Sequence, residues 1–135
     1  MAHKIIDVEG IGAVYAEKLK AAGVKTTEEL LERCKTKTGR RKMAEATGIT
    51  EKLILKWTNH ADLFRIKGVA GQFSELLEAA GVDTIKEFRH RVPANLRAKM
   101  EAVNAEKNLV NRIPSVGEIE KMIAQAKEME PMVKY

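Results

Sequence analysis

At 135 residues the chain is long enough for one domain or two small ones, and 44% apolar with 32% charged residues is a globular balance rather than a disordered one. With 4% aromatics the core has to come from Ala, Leu, Ile, Val and Met; no apolar run approaches the roughly 18 residues of a membrane span, no signal-peptide core opens the chain, and one cysteine, Cys34, excludes an internal disulfide and a cysteine zinc cluster. The net charge of +5 is local: Arg33, Lys35, Lys37, Arg40, Arg41 and Lys42 place +6 within residues 33–42 with no acid among them, so an intracellular, cytoplasmic protein with an anionic partner is expected.

In chain order, a short helix precedes a Gly10-Ile11-Gly12 turn. Val14, Ala16, Leu19 and Ala22 then have the spacing of one helix face over about 12–22, closed by Gly23 at a C′ position. Thr26 or Thr27 caps a connector helix that carries Leu30 and Leu31, with Glu28 and Glu29 at the positive end of its dipole. A third helix is expected over about 38–47. Gly48-Ile49-Thr50 makes a second tight turn, and Thr50 caps a helix whose apolar stripe is Leu53, Ile54, Trp57 and Ala61. Nothing alternates with period two over a useful length, so the chain reads as all-α.

The chain also repeats itself. At an offset of 58, residues 6–33 meet residues 64–91 with ten of 28 positions identical, among them Gly10/Gly68, Gly23/Gly81, Thr26/Thr84 and Arg33/Arg91. Further on the offset grows to 65, which sets Thr50 against Ser115 and Trp57 against Met122 and leaves about seven extra residues in the second copy. The expected organisation is two tandem five-helix modules, 1–62 and 63–135, with a helix continuing across the boundary.

Residues 8–19, built on Gly10-Ile11-Gly12 followed by Ala13 and Val14, resemble the helix-hairpin-helix motif. Two such motifs joined by a connector form the double helix-hairpin-helix domain of many DNA repair, recombination and replication proteins, a fold of the sterile-alpha-motif-like (SAM-like) type. Over nearly its whole length the chain is also similar to a bacterial and archaeal family of tandem helix-hairpin-helix-like proteins described as a domain of unknown function. The resemblance implies contact with phosphates across a minor groove without base reading; some related hairpins hold a monovalent cation on turn carbonyls.

The physical reason such turns take phosphate lies in the backbone. A first glycine allows a positive φ, a second permits close approach, and the amides opening the next helix face outward along its dipole. Gly10, Ile11 and Gly12 fit best, although Glu9 and Glu17 lie close by. Lys67, Gly68 and Gly71 form a second candidate in which Ala70 stands where a glycine is usual, with Arg65 and Lys67 ahead of it. Gly48 and Thr50 make a third. At Arg112-Ile113-Pro114-Ser115 the glycine is gone, and Ser115 with Glu118 reads as a capping box with a structural purpose. The basic segment Arg33, Lys35, Lys37, Arg40, Arg41 and Lys42 is expected to flank the first two turns, with Arg89, Arg91, Arg97 and Lys99 as a thinner counterpart in the second copy.

A catalytic centre is hard to assemble. His3, His60 and His90 are scattered with no second His or Cys at ligand spacing, and Cys34 has cations nearby that favour its thiolate but no histidine partner. Neither metal nor cofactor is expected. The sequence therefore points to a non-catalytic protein that binds duplex or branched DNA with little sequence preference, nucleoid-associated if so. The rival is a protein-protein interaction scaffold or accessory subunit without nucleic-acid contact.

Overall fold

Hydroxyl side chains begin most of the helices. Thr26 accepts from the Glu29 amide at 3.1 Å while Glu29 Oε1 takes the Thr26 amide at 3.1 Å, a closed capping box. Thr36, Thr50, Thr84 and Ser115 receive the amides of Gly39, Leu53, Glu87 and Glu118 in the same way, at 3.0–3.3 Å. In this computed structural model, which describes residues 3–69 and 71–135, a 3-10 turn at Ile5–Asp7 precedes eight α-helices. They are α1 (Ala13–Ala21), α2 (Thr27–Cys34), α3 (Lys37–Thr47), α4 (Glu51–Leu63), α5 (Gly71–Ala79), α6 (Ile85–Phe88), α7 (Pro93–Lys107) and α8 (Val116–Lys127). The described residues contain no strand, only an isolated bridge between Lys4 and Thr26.

The sequence offsets reappear in the helices. Helix α5 lies 58 residues after α1 at both ends, α6 starts 58 after α2, and α8 starts 65 after α4. The extra residues go into α7, which has 15 residues against 11 in α3, and into the 108–115 connection that replaces the short turn at 48–50. Two expectations fail. The helix passes the 62–63 boundary by a single residue rather than continuing through it: α4 stops at Leu63, and residues 64–69 are drawn into successive turns by bonds such as Ile66 N–H to Leu63 O at 3.0 Å and Val69 N–H to Ile66 O at 3.1 Å. Because these turns use that segment, no described counterpart of the leading 3-10 helix forms, so four helices follow α4 where five were expected.

Apolar burial gathers in two clusters. One holds Ile5, Val8, Ile11, Leu19, Leu30, Ile54 and Trp57; the other holds Leu63, Ile66, Leu76, Phe88, Met100 and Ile119. After α8 the chain crosses back onto the first cluster. Val133 packs into it, Met132 N–H reaches Asp62 Oδ2 at 3.3 Å, Lys134 N–H bonds Lys35 O at 2.7 Å, and Tyr135 donates to Asn59 Oδ1 at 2.8 Å. A division of the chain at 62–63 does not foresee this strap.

Helices α2 and α3 meet so closely that Gly39 has no room for a side chain. A β-carbon built there falls inside contact distance of the Arg33 carbonyl oxygen, which is backbone and cannot swing aside. Gly39→Ala is expected to destabilise by about 1–2 kcal/mol, because overpacking outweighs the roughly 1 kcal/mol by which Ala is the better helix former. A urea midpoint that falls at unchanged m-value checks it; a midpoint that rises means the two helices are not in contact here.

Candidate functional site

The first turn is closed by Ile11 N–H on Val8 O at 3.1 Å, with Gly10 at φ +91° in the left-handed region. Ile11 plugs the core at 3% exposure, and Gly10 backs onto Trp57, whose Nε1 would lie 3.4 Å from a β-carbon at that glycine. Gly12 then begins α1 in extended backbone (φ −83°) with no side-chain cap, and nothing approaches within 4 Å of its missing β-carbon. Gly12, Ala13 and Val14 are exposed, and helix geometry leaves the first-turn amides of α1 without an intrahelical partner. Glu9 is half-buried beside this turn and Glu17 is exposed farther along α1.

The second turn has the same build. Gly48 ends α3 at φ +76° with open space around it, and Ile49 is 3% exposed. Thr50 accepts from Leu53 N–H, so its oxygen is used as a cap while its proton stays available. At Lys67-Gly68 both residues are exposed as well, but the backbone is engaged. Gln125 Oε1 takes the Lys67 amide at 3.0 Å, a β-carbon at Gly68 would meet Met122 Cε at 3.1 Å, and Gly71 faces the Asp7 carbonyl. Ala70, the unusual residue of that turn, lies outside the described residues. At Ser115 the capping box forms, Pro114 is buried, and the Glu118 carboxyl is held down to about 2, mainly by the Arg112 guanidinium.

The basic segment divides. Arg33, Lys37, Arg41 and Lys42 are exposed and have no carboxylate partner among the described residues, whereas Lys35 pairs with Glu32 at 3.1 Å. Arg33 lies over Gly23, where its Nη1 would be 3.2 Å from a β-carbon, as its counterpart Arg91 lies over Gly81 and bonds its carbonyl at 2.9 Å. The matched Arg and Gly of the repeat thus touch one another at the end of each first helix. Arg33 and Lys42 also line a shallow cavity of about 270 Å³ with Gly39 and Ala46.

Arg40 departs from expectation. It is 4% exposed, and its guanidinium donates to Cys34 O at 3.0 Å, Lys35 O at 3.2 Å and Lys134 O at 2.8 Å. Its charge rests on the carbonyl end of α2 and on the strap, so it is a structural residue rather than a surface cation. In the second half Arg91 is bound to Glu87, and Arg97 to Pro114 O and Glu101, which leaves Arg89 and Lys99 without a carboxylate partner among the described residues. Cys34 also differs from the reading of a thiol activated by its neighbours. It is fully buried, and burial pushes its thiol up to about 11 against the opposing pull of Arg33 and Arg40.

The fold also assembles a polar cluster that the spacing of His and Cys in the sequence does not disclose. Across the α4–α5 contact, buried His60 meets Glu78 at 3.0 Å and Ser74 at 3.2 Å, and Lys56 lies 3.4 Å from Glu75 and 3.5 Å from Glu78. The helical spacings Lys56/His60 and Glu75/Glu78 were its signal, but only the packing of α4 on α5 tells that they face each other.

No described helix is long and apolar enough to cross a membrane. A family model described as "Domain of unknown function (DUF4332)" matches residues 9–129. Comparison with curated proteins and with solved structures returns no match.

Proposed function

Because the chain belongs to that family, whose description assigns no activity, we propose from its own geometry that it is a non-catalytic protein binding the DNA phosphate backbone with little sequence preference. We read it as two tandem helix-hairpin-helix-like modules of the SAM-like type, a reading supported by the 58-residue helix offset and by the buried middle residue of three turns, Ile11, Ile49 and Val69. The observation that carries the functional reading is the start of α1, where an uncapped helix opens at a glycine with clear space above it. Such an end offers amides and dipole to one phosphate. Gly10, Ile11, Gly12, Gly48 and Thr50 form the cradles, and Arg33, Lys37, Arg41 and Lys42 are the exposed cations of the same half, Arg33 at the Gly23 end of α1; the turn at Lys67, Gly68 and Gly71, whose Lys67 amide is taken by Gln125, contributes less, and Arg40 only holds the fold.

Four unpaired cations set the salt dependence. For a short random-sequence duplex followed by fluorescence anisotropy, log affinity should fall against log salt with a slope of about −4. Changing Lys37, Arg41 and Lys42 to Glu together should reduce that slope by about 3 while the melting temperature stays put. A flat slope, or no binding at about 50 mM salt, hands the function to the rival scaffold.

Gly12→Asp separates the hairpin from the fold. Gly12 already has N-cap geometry with open space, so Asp should cap α1 and add a few tenths of a kcal/mol to stability. The same carboxylate would occupy the amides and repel phosphate, lowering duplex affinity by about tenfold or more. Unchanged binding in a stabilised variant removes the first turn from the interface. The rival reading has one observation in its favour: Ile6 and Val14, at 49% and 69% exposure, present apolar surface next to this turn.

A further inference from the structure

The His60 ring is fully buried between α4 and α5, and its two nitrogens face different partners. Ser74 Oγ lies 3.2 Å from Nδ1 and also 2.6 Å from the Gly71 carbonyl, while Glu78 Oε2 lies 3.0 Å from Nε2. Ser74 has one hydroxyl proton, and the shorter contact commits it to Gly71 O. Its oxygen then accepts the Nδ1 proton of His60. In a neutral ring Nε2 is left as a lone pair aimed at a carboxylate oxygen. Two acceptors hold that separation only with a cation between them, either a second ring proton or a metal ion.

The surroundings supply the remaining ligands. Oxygens of Glu75 and Glu78 lie with His60 Nε2 in a set whose members are all within 4.8 Å of one another. The Glu75 and Glu78 carboxylates, each within 3.5 Å of the Lys56 ammonium, supply the anionic oxygens. The 3.0 Å between His60 and Glu78 suits two ligands on one ion at about 2.0–2.2 Å each. One imidazole nitrogen with two carboxylates is a donor set for zinc or manganese rather than for magnesium or calcium, which favour oxygen alone. An open cavity of about 450 Å³ lined by Lys52, Leu55, Lys56, Asn59, Glu78 and Asp83 leads to the cluster from solvent.

We propose that His60, Glu75 and Glu78 form a binding site for a divalent first-row transition ion, which staples α4 to α5. The Lys56 ammonium, 3.4–3.5 Å from both carboxylates, is the resident competitor that the ion displaces. Ser74 fixes the ring so that Nε2 points at the ion, the arrangement in which a hydrogen bond at the far nitrogen orients a ligating histidine. The site is independent of DNA contact and serves to join the two apolar clusters.

The test is titration of the full chain with zinc chloride by calorimetry, with cobalt chloride as the spectroscopic probe. One zinc per chain is expected, with visible cobalt bands and a melting temperature that climbs with free zinc. His60→Gln and Glu75→Gln should each weaken zinc by at least about tenfold, and Lys56→Met should strengthen it several-fold. If His60→Gln fails to fold, Glu75→Gln carries the comparison, since Glu75 keeps 24% side-chain exposure. Absence of saturable zinc binding by the unaltered chain overturns the proposal, as does binding unmoved by Glu75→Gln.

Discussion

Arg40→Met is expected to cost about 2–4 kcal/mol and to lower the melting temperature by on the order of 10 °C, while Arg41→Met leaves stability within about 0.5 kcal/mol. The two residues are neighbours in the same basic run, yet the helix turns one inward. Arg40 brings a buried guanidinium to three carbonyls, two of them at the end of α2 where helix geometry leaves oxygens without partners. Methionine fills part of the volume and none of the hydrogen bonds, so the oxygens of Cys34, Lys35 and Lys134 lose their donor. The strap loses its anchor as well, because Lys134 bonds Arg40 and the Tyr135 ring lies 5.9 Å from the guanidinium. Limited proteolysis should accordingly cut residues 130–135 faster in the variant. Arg40→Lys keeps the charge but replaces a planar fork by a single ammonium and should recover only part of the loss. For DNA the expected order reverses: Arg41 changes affinity and Arg40 does not. An Arg40→Met protein that melts like the unaltered chain would mean that the strap and the α2 terminus find other donors.

What the sequence makes legible follows the range of each interaction. Caps at Thr26, Thr50 and Ser115 are readable because donor and acceptor are three residues apart and the chemistry is complete within one helical turn. The repeat is readable because matched glycines and threonines recur in register. Arg40 is not, because one of its acceptors lies 94 residues away in a tail with no pattern of its own. The contacts of the turn at residues 67–71 depend likewise on Gln125, 58 residues on from Lys67, and on Asp7 from the other end of the chain. Turns with similar glycine placement therefore differ in which backbone groups are already taken, and the difference comes from what packs beside them. His60 is the clearest instance. Its partners Ser74 and Glu78 lie beyond the α4–α5 corner, and only the approach of the two helices makes five scattered polar residues into one cluster.

Trp57→Ala should have the largest effect on stability, about 3–5 kcal/mol, and its loss should reach the candidate interface as well. Trp57 is 1% exposed, meets Tyr15 edge to face at 5.1 Å and stands directly behind Gly10. Removing it leaves a cavity under the first turn, so the amides that begin α1 lose the wall that fixes their direction. The repeat indicates what can replace it. Met122, opposite Trp57 at the 65-residue offset, stands behind Gly68 with its Cε 3.1 Å from where a β-carbon would be. Each half thus backs the glycine of its first turn with a large side chain from its last helix. Trp57→Met keeps a flexible apolar group at that place and should cost roughly half as much as Trp57→Ala. Since Trp57 is the only tryptophan, unfolding of both variants has to be followed by circular dichroism rather than fluorescence. In conditions where Trp57→Ala remains folded, duplex affinity should still fall, and Trp57→Met should restore it. Equal affinity for all three proteins would separate the turn from DNA contact and leave Trp57 as a core residue alone.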